Sequence, residues 1–358
     1  MHHATARDAV CRILSGSGFA ESAIGLALAT RLSDDASCPD DLRHMIIRRC
    51  LDWQPDQAAP YTHPLNQQPV PDDGAALAAQ LIPALIAHPA DAALGASSLW
   101  SLVQLWPHCS SDERPLLRTL FLNSIASHKE AADGVLTTFQ LREWQKQVPT
   151  HYGTLTPSVV SMRGVLEATD PLAAYLLLAE HLGMQVDLET MCWVLGSLSV
   201  QLLQSNHDRQ GRLAGLLLGA TACEHLVSLV QVEHLVTVIS QLNHRIWWLK
   251  ARGSLHVILR STDLSQRPLG SAIVTGDITM SQRAGRALAS QQPGRFWDEC
   301  WQSTRELLPT NRIALLRLLT VFDTARWRSE DGIVAVDDAS AIAATLTDLA
   351  WQRTPRPA

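Results

Sequence analysis

Leucine, alanine and valine return every three or four residues along almost the whole chain, and strict alternation of apolar and polar positions is scarce. That spacing gathers apolar side chains on one face of a helix, so the pattern predicts a mainly α-helical protein. Helices are expected near 4–14, 19–32, 40–52, 74–88, 94–106, 112–128, 134–146 and 157–167. Further ones are expected near 171–183, 187–205, 211–229, 232–252, 280–290, 294–307, 311–327 and 337–352. A globular multi-helix bundle is the first architecture this implies. An α-helical repeat array is the alternative, because short helices in series can also stack as a solenoid. The triplet Glu-His-Leu occurs at 180–182, 224–226 and 233–235, but its irregular spacing defines no repeating unit.

Punctuation supports several boundaries. Asp170-Pro171 offers an N-cap followed by proline at the first helical position, and Gly183 stands where that helix should end. Asp187 precedes Leu188 as a second candidate cap, and Gly276-Asp277 reads as a turn leading into a capped helix. Residues 54–73 carry five prolines and the run Asn66-Gln67-Gln68, a long irregular stretch that acts as linker or cover. It separates an N-terminal helical segment, 1–53, from a main helical domain, 74–358, with the two expected to pack as one unit. Leu255–Leu259 and Ala272–Thr275 are β-prone and separated by turn residues, which predicts one small β-hairpin near 254–276.

A chain of 358 residues with 46% hydrophobic and 18% charged side chains can bury a full core. The net charge is -6, and the 29 basic residues include just three lysines, Lys129, Lys146 and Lys250. No concentrated basic surface of the kind that tracks a phosphate backbone is present, so nucleic acid is not an expected partner. Seven cysteines show no CxxC pair and several lie in apolar helical runs, which fits a reducing compartment. No secretory signal pattern and no run of about 20 apolar residues is found. The expectation is a soluble cytoplasmic protein with no membrane association.

Candidate chemistry concentrates between His207 and His256, where five histidines and the tandem Trp247-Trp248 fall within fifty residues. On the helix over 232–252, Leu235, Val238, Ile239, Leu242, Ile246 and Leu249 form a core face. His234, Thr237, Gln241, His244 and Trp248 form the adjacent stripe. Two readings fit that stripe: a polar cavity wall with an aromatic platform, in which Gln241, His244 and Trp248 line a substrate pocket, or a half-buried edge. His234 and His244 stand ten residues apart, about 15 Å along a helix axis, and cannot share a metal ion. No HExxH and no Glu-x-x-His pair occurs. A metal site would have to draw single ligands from several helices, with His207, His225, His234, Glu224 and Glu233 as the candidates. The competing reading is of separate histidines satisfied by backbone, carboxylate or water.

Other chemistries find less. There is no G-x-S-x-G elbow, and Asn206-His207-Asp208 also reads as an interhelical turn. The glycines in Ser15-Gly16-Ser17-Gly18 precede a helix but lack a preceding strand and a Walker lysine, so no nucleotide motif is present. Eleven tryptophans outnumber five phenylalanines and three tyrosines; helix packing is their default role, and a cluster around a planar substrate the sharper alternative.

Two function classes follow. The first is a helical oxidoreductase, an oxygenase using a non-haem transition metal (iron favoured) on an apolar or aromatic small molecule in a helical cavity. The second is a non-catalytic α-helical scaffold that binds a protein partner.

Overall fold

Fifteen α-helices and two single-turn 3-10 segments account for nearly all the described structure, as the three-to-four periodicity requires. The computed structural model describes residues 2–16, 19, 21–33, 35, 37–53, 58, 60, 62–87, 92–127, 140, 143, 165, 168–183, 188–205, 212–251, 268–329 and 333–353. In chain order the helices are α1 (His2–Leu14), α2 (Glu21–Ser33), α3 (Asp40–Leu51), α4 (Gly74–Ala87), α5 (Ala92–Leu105), α6 (Glu113–Ser127), α7 (Pro171–Gly183) and α8 (Leu188–Ser205). They continue with α9 (Arg212–Leu226), α10 (Val232–Ala251), α11 (Leu269–Val274), α12 (Ile278–Gln291), α13 (Pro293–Leu307), α14 (Arg312–Trp327) and α15 (Val336–Arg353). The helices expected near 134–146 and 157–167, and the Asp187 cap, fall almost wholly outside the described residues.

Helix α9 is the centre of the bundle because it is apolar around its circumference, with Leu213, Leu216, Leu217, Ala220, Ala222, Cys223 and Leu226 all buried. It packs on α5, α8, α10 and α14. The approach to α5 is set by small residues: a Cβ at Gly219 would stand 2.7 Å from the Ala93 Cα, so a glycine is needed for the two backbones to come this close. Helix α15 forms a second hub against α8, α11, α12, α13 and α14. The pattern of packing is not that of a repeat array, in which each pair touches just its neighbours in sequence, since α2 lies against α14 and α5 against α9 and α10.

Charged side chains tie the two ends of the chain together. Arg31 of α2 holds Asp323 of α14 through a fork of Nε to Oδ1 at 2.9 Å and Nη2 to Oδ2 at 2.7 Å. The buried pair Arg317–Asp348, 2.5 Å apart, joins α14 to α15. Around them Trp297 and Trp301 of α13 stack with centroids 5.9 Å apart and close on Phe322 of α14. The Trp301 Nε1 donates to the Ser37 hydroxyl at 3.2 Å. These two rings serve helix packing, and spacing of four residues gives them their common face.

The Pro-rich stretch lies against the helices. Arg118 of α6 is buried and donates to the carbonyls of Asn66, Gln68 and Pro69 and to the Gln80 amide oxygen, while Trp106 Nε1 donates to the Pro71 carbonyl. Residues 64–71 are thereby a cover over α4 and α6.

The expected hairpin near 254–276 is corrected in its second half. Ala272–Val274 belong to α11, whose Leu269, Ala272 and Ile273 are buried, and the Leu269 and Gly270 amides donate to Glu299 Oε2 of α13 at 3.0 and 3.4 Å. A carboxylate thirty residues away thus caps a short helix whose local composition favours a strand. The first half, Leu255–Leu259, lies outside the described residues. The next turn does follow expectation: Gly276 has φ 73° and Asp277 caps α12 by accepting from the Met280 amide at 3.0 Å.

Among the described residues no helix is long and apolar enough to cross a membrane. All seven cysteines are thiols, six of them buried, and burial pushes Cys50 and Cys109 to about 12, far from nucleophilic use.

Candidate functional site

The predicted donors are held apart by their own packing. Glu224 and His225 are adjacent in α9 and diverge, as neighbours on a helix must. Glu224 Oε1 accepts from Trp327 Nε1 at 3.4 Å, and Oε2 lies 4.0 Å from Arg328 Nη2 without a hydrogen bond. Burial raises the Glu224 pKa against the opposing pull of Arg328. The His225 ring lies between Trp100, stacked at 4.4 Å, and Trp327, edge-on at 4.1 Å. Burial, helped by the Arg31 charge, lowers its pKa to about 4, so it is a neutral aromatic at physiological pH.

Beyond Arg328 stands Asp338 of α15, 3.9 Å from the guanidinium and pushed up to about 6 by burial. Arg328 Nη1 also donates to Ser197 Oγ and Nη2 to the Trp193 carbonyl, both at 3.3 Å. One guanidinium therefore stitches α8, α9 and α15 together. Sequence reading missed this knot because its members lie more than 100 residues apart in pairs such as Glu224 and Arg328.

On α10 all six predicted core residues are buried. Gln241 and His244 of the neighbouring stripe are buried too, whereas His234 and Trp248 are half-buried and Glu233 is exposed. His244 stacks on Trp247 at 5.8 Å, and burial followed by the Arg245 charge lowers its pKa to about 4. Neither His234 nor His244 finds a hydrogen-bond partner at Nδ1. Among the described residues no three of His, Cys, Asp and Glu are placed to hold a metal ion. His207 lies outside them. The separation has a physical cause: His225 is filled in between two indoles, Glu224 faces a guanidinium, and Glu233 points to solvent.

A cavity of about 200 Å³ opens beside this region, between α2, α5, α9, α10 and α14. Its buried lining is mixed: Ile24, Ala93 and Leu216 form an apolar wall, and Ser97, Arg317 and Thr320 are as deeply buried. Nearer the opening are Gly215, Leu94, Leu316 and two guanidinium groups, exposed Arg212 and half-buried Arg245. Arg317 also lines it, with its Nη1 on Asp348. The one lining carboxylate, Glu21, is held by Arg312 Nε at 3.1 Å. Two lining hydroxyls are turned to their own helices, Ser97 to the Ala93 carbonyl at 2.7 Å and Thr320 to the Leu316 carbonyl at 2.8 Å.

Two features of α9 shape this space. Its first two turns flank the cavity, with Arg212, Ala214, Gly215, Leu216 and Leu218 along one wall. At Gly215 an added Cβ would meet no atom within 4 Å, in contrast to Gly219 one turn on. The predicted pocket residues Gln241, His244 and Trp248 are not among those lining the cavity. Their helix enters it through Arg245, one turn beyond Gln241, and Trp248 supports that guanidinium at 4.6 Å from its ring centroid.

The arrangement can bind and orient a small molecule with an apolar body, and its hydroxyls and its carboxylate are already engaged. The chain matches no protein-family model, no characterised protein sequence and no solved structure.

Proposed function

We propose that this protein binds a small molecule in the five-helix cavity beside α9. The observation that carries the reading is Gly215: a residue without a side chain lines the cavity at a position where nothing else occupies the space. Glycine inside a helix costs about 1 kcal/mol relative to alanine. Here it leaves room of the size that a single ring or a short chain fills; an apolar cavity of about 150 Å³ suffices for benzene. An apolar wall beside a few polar groups is the composition of a ligand pocket.

The small-molecule half of the oxygenase expectation draws support from this cavity. Its metal half draws none from the donors described, since His225, His234, Glu224 and Glu233 are engaged or dispersed. Binding is the activity we assign, with no chemical step.

Fluorine NMR with para-fluorobenzoate, para-fluorobenzamide and para-fluorobenzylamine tests the reading. At least one resonance should broaden on adding the protein and sharpen again with Gly215→Leu, whose side chain grows into the cavity. Equal broadening by both proteins would place the probes elsewhere and remove the proposal.

A second reading, binding of a protein partner, is favoured by one feature. Trp193 and Trp327 are 42% and 56% exposed, and the Arg328 guanidinium lies 5.7 Å from the Trp193 centroid. Exposed indoles beside an arginine are the side chains that anchor interfaces. Sedimentation of the protein with and without Trp193→Ala, in the presence of a candidate partner, is the corresponding test.

A further inference from the structure

We infer that the ligand taken by the cavity is a small organic carboxylate, held with its charged end at Arg212 and Arg245 and its apolar body against Ile24, Ala93 and Leu216. The inference rests on the binding reading above and adds the chemistry of the ligand.

Two observations point to an anion. Arg212 and Arg245 line the cavity together with Arg317, whose charge Asp348 matches, and the one lining carboxylate, Glu21, already meets Arg312 at 3.1 Å. Arg245 reaches the opening from a different helix, α10, so two guanidinium groups approach from two directions. A cation there would face like charge.

The depth of the groups gives the orientation. Arg212 is exposed and Arg245 half-buried, whereas Ile24 and Leu216 are 1% and 2% exposed and the buried guanidinium, Arg317, is taken up by Asp348. A carboxylate at the opening keeps part of its hydration while accepting charge-assisted hydrogen bonds, and so avoids the cost of full desolvation. The hydrocarbon part then fills the apolar end. Planar guanidinium forks match the planar carboxylate, which favours it over an ammonium or a neutral amide.

Titration calorimetry with para-fluorobenzoate, para-fluorobenzamide and para-fluorobenzylamine separates the possibilities, using the full chain and its Arg212→Gln and Arg245→Gln variants, each checked for helical content. The carboxylate should bind about tenfold or more tightly than the amide, as charged hydrogen bonds of roughly 1.5–3 kcal/mol require. Each glutamine variant should weaken the carboxylate several-fold and leave the amide unchanged, and added salt should weaken the carboxylate alone. Equal affinity for acid and amide, preference for the amine, or equal weakening of acid and amide by the variants would overturn the carboxylate inference while leaving the cavity as a binding site. Binding of none of the three would instead overturn the binding reading itself.

Discussion

The guanidinium of Arg245 lies 4.6 Å from the ring centroid of Trp248, three residues later on α10 and on the same side of the helix. The indole thus positions an arginine that lines the cavity without lining it itself. Replacing Trp248 by leucine should keep most of the packing and remove the cation–π attraction of about 0.5–1 kcal/mol. Affinity for para-fluorobenzoate should fall about two- to fivefold, read by titration calorimetry, with Trp248→Phe restoring most of it. An unchanged affinity for the leucine variant would show that Arg245 needs no such platform.

Two glycines four residues apart in α9 should respond in opposite directions. Gly219→Ala drives a methyl group to 2.7 Å from Ala93 Cα and must push α5 and α9 apart, costing about 1–3 kcal/mol. Gly215→Ala meets open space and should gain up to about 1 kcal/mol from helix propensity. Urea unfolding of both variants checks the contrast; a common sign would mean that the two sites are not packed as described.

Arg118 holds residues 66–69 with a charge that meets only neutral oxygens. Burial lowers its pKa. Arg118→Ala removes four hydrogen bonds whose acceptors lie on half-buried or exposed residues, a loss of about 1–3 kcal/mol, and should expose the Pro-rich cover to limited proteolysis between 64 and 71 before the rest of the chain is cut. Cleavage beginning elsewhere in the variant would contradict the role of Arg118 as the clamp.

The pH dependence should come from opposed groups. His225 and His244 have pKa values lowered from 6.5 to about 4 in the folded protein, so between those values the unfolded chain binds more protons and stability falls as pH falls. Asp338 is raised from 3.8 to about 6, so in that window the folded protein binds the extra proton and stability rises as pH falls. The histidines' loss of stability on acidification is thus offset by Asp338 and by Glu224, whose pKa burial also raises. Asp338→Asn should steepen that loss between pH 6 and 4, and His225→Phe, which keeps a ring between Trp100 and Trp327, should flatten it. Urea midpoints across the range decide; identical slopes in all three proteins would remove these groups as the cause.

Much of the helical frame is legible in the chain because its causes are local. The apolar face of α10 is spelled out by Leu235 to Leu249, and Asp170 caps α7 as its place before Pro171 implies, accepting from the Ala173 amide at 2.9 Å. Where the cause is distant, sequence misleads: α11 forms against its β-prone composition because Glu299 caps it from another helix. The cavity is a stronger case. Its residues run from Glu21 to Thr320 on five helices, and no local motif links them. The histidine density drew attention to α10, but burial and aromatic packing make His225 and His244 neutral core rings. The informative residues beside them, Arg245 and Gly215, carry no signature in a chain whose basic residues are nearly all arginine.

The most direct test of the account is a crystal structure grown with para-bromobenzoate, in which the anomalous signal of bromine locates the ligand without reference to its shape. The account predicts a bromine peak at the apolar end of the cavity, among Ile24, Ala93 and Leu216, with the carboxylate at Arg212 and Arg245. Bromine found only outside the cavity, in a crystal where calorimetry has shown that the ligand binds, would contradict it.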